Sequence, residues 1–273
     1  MPKFEKSGRI QMVIISAICL FVFIILFILI RNTVVSHRQK AEAIEKGVEY
    51  LQSLEERTPQ EVKTYLQNAE ENKRLKEIKE ELEELSVQME NGNTDGVWDM
   101  FDNIFILGDS RSEYFTYGGF LTTNSVYAKK GTNLSNATGG VDAVVKSGKT
   151  NLVFTYGLND CNGIWSSAEE FKTQYKKVIM KYLEAVSNAS VYVCSIMPVT
   201  DEALITSPKL KNINEYNSMI KEICEEEGYT YINCDSLPGE HEDSYDVDGM
   251  HFTASFYPYF AYAIVKGVYE NVT

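Results

Sequence analysis

A serine between two charged residues ends the apolar run at residues 104–107. The stretch reads IFILGDSRSEYF, with Ser110 between Asp109 and Arg111. Gly, Asp and Ser are usual where a strand turns, so a plain turn would account for them. A nucleophile would also account for them, because open α/β sheets place their ligands at the carboxyl ends of parallel strands. A serine hydroxyl is a weak nucleophile and needs a base within hydrogen-bond reach. Of the three histidines, His251 in DVDGMHFT is the candidate base, with Asp248 three residues before it. On a turn or helical start both residues face one way. One imidazole nitrogen can then bond Asp248 while the other faces Ser110, a triad recognised by roles and not by chain order.

Attack on an acyl carbon also requires donors for the developing oxyanion. The Ser110 and Gly131 backbone N–H groups and the Asn159 side-chain amide are candidates. Gly131 lets a backbone approach closely, and Asn159 carries two N–H donors on a neutral group. Three further residues carry two readings each. Arg111 is a candidate for recognising an anionic substrate group, or it pairs with an acidic neighbour. His241 is a rival base, although PGEHEDSYD reads as a solvated acidic loop. Cys161 and Trp165 either line the mouth of a pocket or pack beside it. The tyrosines at 257, 259 and 262 read as packing residues.

These residues need a scaffold that gathers them from distant parts of the chain. Apolar, strand-like runs occur at 104–107, 125–128, 151–156, 190–197 and 229–234, and helix-like stretches at 137–147, 167–187, 211–227 and 253–270. Strands alternating with helices imply a parallel sheet covered on both faces. The reading is therefore one three-layer α/β domain over 97–273, with five parallel strands. Ser110, Gly131, Asn159 and Asp248 all follow strand ends, a recurrence that scattered surface polarity would not produce.

Upstream, the chain changes character. Residues 1–10 read as a short tail. Residues 11–30, QMVIISAICLFVFIILFILI, contain only Gln11 and Ser16 as polar residues, and twenty apolar residues are enough to cross a bilayer. A signal peptide would have a shorter apolar core and a small-residue cleavage site, whereas Arg31-Asn32-Thr33 follows here. The run reads as an uncleaved transmembrane anchor. Basic residues flank it on both sides, so charge does not orient it. With a short tail before the span and the bulk of the chain after it, the domain is expected outside the cytoplasm.

Residues 31–96 are rich in Glu and Lys and read as a helical stalk of two helices, 36–57 and 59–91. Thr58-Pro59-Gln60-Glu61 between them matches a capping box with proline at the first helical position. Leu75, Ile78, Leu82, Leu85 and Met89 step by three and four, as a coiled-coil seam does. A short coiled coil, with a homodimer formed through it, and a single amphipathic helix laid on the domain are the two readings.

The formal net charge of −13 leaves no basic patch for nucleic acid. The five cysteines form no CxxC pair and the histidines lack zinc-ligand spacing, so no metal or cofactor is expected. The spacing assigns no disulfide.

The domain resembles the SGNH/GDSL hydrolases over residues 104–273. GDS at 108–110 matches the first signature block of that family, Gly131 the second, GLND at 157–160 the third and DGMH at 248–251 the last. For the second block Gly139 and Gly140 are alternatives, but Gly131 follows the strand most directly. The resemblance implies a flavodoxin-like sheet with Ser110 as nucleophile, His251 as base and Asp248 as its orienting partner. It also implies an oxyanion hole of Ser110, Gly131 and Asn159. Together with the anchor, it suggests a serine esterase or O-acyltransferase acting on acylated surface glycans. A lipase or lysophospholipase would favour a broad apolar wall, and no long apolar insert separates the blocks. A catalytically silent surface-binding or scaffolding protein need not keep all four blocks.

Overall fold

The computed structural model describes residues 31, 35, 38–52, 58–241 and 243–270. The apolar run 11–30 expected to form the anchor lies outside them. Among the described residues, no helix is long and apolar enough to cross a membrane. The chain divides into two compact units, residues 1–73 and 74–273. In the first, residues 38–52 are helical. The capping box forms at the start of the next helix: the Thr58 N–H donates to Glu61 Oε2 at 2.7 Å and the Glu61 N–H to Thr58 Oγ1 at 3.3 Å.

The second unit is built on five strands: β1 (Ile104–Gly108), β2 (Val126–Ala128), β3 (Asn151–Phe154), β4 (Ser190–Cys194) and β5 (Thr230–Ile232). They pair in the order β2-β1-β3-β4-β5, and every pair is parallel. This is the doubly wound order whose direction reverses beside β1, so the crevice lies at the carboxyl end of that strand. β1 is buried along its whole length because its side chains feed both cores in alternation. Ile104 and Ile106 enter one core, with Phe256, Phe260 and Ile264, while Phe105 and Leu107 enter the other, with Phe171, Tyr175 and Ile220.

The helices on the second face follow their apolar spacing. Ala168–Ala185 is capped by Ser167, whose side chain accepts the Glu170 N–H, and Ile213–Glu227 ends at Gly228 in the left-handed region. Each buries one stripe against the sheet. On the first face lie Tyr257–Tyr269 and an eight-residue helix, Ser110–Tyr117, which begins where a turn alone could have stood.

The stalk reading changes at its C-terminal end. The helix runs Pro59–Glu90, but Leu85 and Met89 are only 4% and 7% exposed and belong to the domain's own core, with Ile78 and Leu82 packed against it. Four of the five residues spaced like a coiled-coil seam, Ile78, Leu82, Leu85 and Met89, are therefore used within the chain, as an amphipathic helix laid on the domain uses them. The compact unit accordingly begins at Arg74, upstream of the boundary at 97 read from composition. The four described cysteines, Cys161, Cys194, Cys224 and Cys234, are buried and free.

Candidate active site

β1 ends at Gly108, where the chain has no room for a side chain. A Cβ there would come within 2.7 Å of Ser112 Cβ and press on the Thr155 hydroxyl. The close approach draws the next strand and the following helix together: Ser112 Oγ lies 2.6 Å from Thr155 Oγ1, which donates to the Leu107 carbonyl at 3.1 Å. Asp109 then caps the helix, its Oδ1 accepting the Arg111 N–H at 3.0 Å. Ser110 is the first helical residue. Its N–H is among those that a helix leaves without an internal partner.

His251 is brought to this point by a clasped loop. Tyr245 and Phe252 form an antiparallel bridge, the Asp246 N–H donates to the His251 carbonyl at 2.9 Å, and the Thr200 N–H reaches the Gly249 carbonyl at 3.0 Å. Gly249 has φ +66, where only glycine is unstrained, and a Cβ there would run into Thr200. Within the loop, Asp248 Oδ1 accepts the N–H groups of Met250 at 2.9 Å and of His251 at 2.8 Å. Its Oδ2 lies 2.6 Å from His251 Nδ1. Partial burial pushes the Asp248 carboxyl up, but these hydrogen bonds from His251 and Met250 outweigh it and hold the pKa at about 2. Asp248 is therefore ionised and accepts only, which puts the imidazole proton on Nδ1 and leaves the Nε2 lone pair free. That Nε2 lies 2.8 Å from Ser110 Oγ.

The candidate oxyanion donors are tied together by side chains. Asn159 Nδ2 donates to the Thr132 carbonyl at 2.8 Å, and the Lys130 N–H donates to Glu113 Oε2 at 3.1 Å. Gly131 lies between these two ties, at φ +77, with open space where a Cβ would stand. Gly139 and Gly140 instead pack against the Tyr127 ring. The loop holding Gly131 is thus fastened to the helix of Ser110 on one side and to Asn159 on the other.

Arg111 forms no ion pair with an acidic side chain among the described residues, although its charge acts on the buried Asp109 beside it. Arg111 is 4% exposed, and its guanidinium donates to three main-chain carbonyls: Nε to Met250 at 2.8 Å, Nη1 to Met197 at 2.7 Å and Nη2 to Pro198 at 3.0 Å. It faces the Phe252 ring at 4.6 Å. His241 stacks on Tyr259 at 3.7 Å between ring centroids, while His251 occupies the place beside Ser110. Burial pushes the His241 pKa down. Trp165 donates its Nε1–H to Asp160 Oδ1 at 2.7 Å, and Cys161 is buried, with burial pushing its thiol pKa up. Tyr257 is buried and its hydroxyl donates to the Arg111 carbonyl at 2.7 Å.

Two carboxylates beside the site were missed as contributors. Asp160 is fully buried, and its Oδ1 accepts both the Trp165 ring N–H and the Leu134 N–H, the latter at 3.0 Å. Asp109 is 1% exposed. In each, one oxygen has no protein partner. Burial raises the pKa of both to about 6, against the opposing pull of the Arg111 charge on Asp109 and of the donated N–H groups on Asp160. The available signal was their place, each next to a candidate residue in a short polar block.

A hydroxyl, an imidazole and an ionised carboxylate in line, beside a glycine loop and an amide, are the parts of acyl transfer through a serine. The chain matches the GDSL-like Lipase/Acylhydrolase family over residues 94–257, well over half its length. It belongs to this family. It is accordingly a GDSL-type serine hydrolase of carboxylic esters. Solved structures share the fold at low identity. A putative acylhydrolase from Bacteroides fragilis NCTC 9343 aligns with TM-score 0.50 and 14% identity, covering 62% of this chain and 88% of that one. A putative GDSL-like lipase from Parabacteroides merdae ATCC 43184 aligns with TM-score 0.50 and 14% identity, covering 61% and 95%. Comparison with curated proteins gives no match.

Proposed function

We propose that this GDSL hydrolase is a membrane-anchored, extracytoplasmic esterase that removes or transfers O-acetyl groups on cell-surface glycans, with Ser110 as its nucleophile. The observation that carries the catalytic part is the relay from Asp248 Oδ2 through His251 to Ser110 Oγ, with contacts of 2.6 Å and 2.8 Å. In this reading His251 Nε2 takes the Ser110 proton as Oγ attacks the ester carbonyl. The N–H groups of Ser110 and Gly131 and the Asn159 amide receive the negative charge on the oxygen. Collapse of the tetrahedral intermediate expels the alcohol, which takes the proton back from His251 and leaves Ser110 acylated. Water or a sugar hydroxyl, deprotonated by His251, then attacks the acyl carbon and restores the serine.

The anchored, extracytoplasmic part rests on the apolar run 11–30 and on the length of chain after it. The acetyl preference rests on the resemblance to SGNH esterases together with that placement. The test is hydrolysis of p-nitrophenyl acetate by the full chain in detergent, beside Ser110→Ala. Equal rates in the two proteins would end the catalytic reading. Rates that rise from acetyl to octanoyl esters would favour a lipase over an acetylesterase. Acylated sugar formed on adding a glycan acceptor would show transfer. Protease added to intact cells should reach the domain, and full protection would refute the extracytoplasmic placement.

A further inference from the structure

Ser110 and His251 come from opposite ends of the domain, and a hydrogen bond between two partly exposed side chains does not by itself fix their separation. We infer that Arg111 is the positioning residue that sets it. The inference rests on the acyl-transfer reading above. Arg111 follows Ser110 in the chain and Met250 precedes His251, so the Arg111 Nε to Met250 carbonyl bond, at 2.8 Å, runs as a second rung beside the 2.8 Å contact from Ser110 to His251. The other two arms of the guanidinium reach the Met197 and Pro198 carbonyls beyond β4. The Pro198 carbonyl also accepts the Tyr245 hydroxyl at 3.0 Å, at the foot of the histidine loop.

The backbone of Arg111 is fixed as tightly as its side chain. Its N–H is held by Asp109 and its carbonyl by Tyr257. One buried fork therefore joins the nucleophile's helix, the chain after β4 and the loop carrying the base. A lysine cannot reproduce this, because a single ammonium lacks the planar set of donors that meets three carbonyls in different directions. With Arg111 buried and its arms committed to carbonyls, its effect on turnover has to pass through Ser110 and His251 rather than through substrate contact.

The experiment compares the full-length wild type with Arg111→Lys and Arg111→Ala in p-nitrophenyl acetate hydrolysis, with melting temperatures for each. A positioning role predicts that Arg111→Lys loses kcat by about 10- to 100-fold, the cost of slight misplacement of reacting groups, while KM stays within about twofold. It also predicts that free guanidinium, below the concentration that disturbs the fold, restores part of kcat in Arg111→Ala without changing KM. A lysine variant that melts like the wild type and keeps its kcat overturns the inference. A lysine variant that melts far lower passes the decision to the rescue, and no recovery of kcat there also counts against it. Failure of the underlying reading looks different: the wild type would then show no more hydrolysis than Ser110→Ala. In that event NMR titration of the His251 ring, which needs no turnover, still decides. A titration shifted in Arg111→Lys supports the clamp, and an unchanged one overturns it.

Discussion

Asp248 holds His251 through two hydrogen bonds, from the His251 N–H to one carboxylate oxygen and from the ring Nδ1 to the other at 2.6 Å, and the first oxygen also accepts the Met250 N–H. Both oxygens need to be acceptors. In Asp248→Asn one position becomes an NH₂ group facing an N–H, so either the loop loosens or the imidazole moves its proton to Nε2. In the second case Ser110 loses its base. The expected fall in kcat is about 10³- to 10⁴-fold, with the fold retained, and Ser110→Ala should fall to background. Steady-state kinetics and far-ultraviolet circular dichroism check both. A hundredfold or smaller loss in Asp248→Asn would show that the carboxylate is not the orienting group.

Asp109 and Asp160 should make stability depend on pH in the opposite sense from Asp248. Their pKa values are raised from 3.8 to about 6 by burial, so the folded chain holds more protons than the unfolded one between those values. Stability then falls as pH rises through this window and is lower at neutral pH, by on the order of 3 kcal/mol for each carboxyl. Asp248, held at about 2, contributes stability that is present above 3.8 and lost as pH falls through about 2. The melting temperature is expected to be highest in mild acid. Asp160→Asn should flatten the slope between about pH 4 and pH 6 by one carboxyl's share, whatever its offset. An unchanged slope in urea titrations across that range would contradict the assignment.

The end of the helix Pro59–Glu90 should behave as part of the catalytic domain. Leu85 and Met89 are nearly as buried as any residue of the sheet and touch the core that holds Phe101 and Phe260. A soluble fragment starting at 95 would leave that surface bare, whereas one starting at 74 keeps it. The longer fragment is expected to melt cooperatively at a clearly higher temperature. In it, Leu85→Ala should cost about 2–3 kcal/mol, near the lower end for a buried leucine. Fragments of equal stability would return the domain boundary to residue 97.

What was legible in the sequence followed from periodicity and from polar residues at strand ends. The five strands fall within two or three residues of the apolar runs, since a strand fed into two cores must be apolar throughout, as Ile104 to Leu107 are. Ser110 stands where β1 passes into a helix, and Asp248 and His251 stand in one loop after β5, and the fold brings the three together. The helix Ser110–Tyr117 was hidden: its eight residues, SRSEYFTY, lack an apolar stripe, and what starts it is the Asp109 cap. The partner of the seam from Ile78 to Met89 was also hidden, because a stripe of period 3.5 looks the same whether a second helix or a sheet-covering core receives it. Arg111 showed the same limit. Sequence displays a charge, but only the fold shows that three carbonyls converge on it.

Gly108 offers a last test that separates backbone approach from chemistry. It carries no reacting group, yet a methyl at this point would meet Ser112 Cβ at 2.7 Å and the Thr155 hydroxyl more closely still. Both neighbours are themselves anchored, Thr155 to the Leu107 carbonyl and Ser112 within the first turn of the nucleophile's helix. Ser112 shares the first helical turn with Ser110, so it cannot yield without shifting the nucleophile. Gly108→Ala is therefore expected to destabilise the domain by about 1–3 kcal/mol, as overpacking in a filled interior does. It should also lower kcat at temperatures where the variant remains folded. Gly108→Ala combined with Thr155→Ser does not remove the offending hydroxyl and should rescue little, whereas Gly108→Ala with Thr155→Ala should recover only part of the lost stability, because Ser112 Cβ still stands at 2.7 Å. Melting curves of the three variants decide this, and equal melting of the two double variants would mean that the hydroxyl is not what Gly108 accommodates.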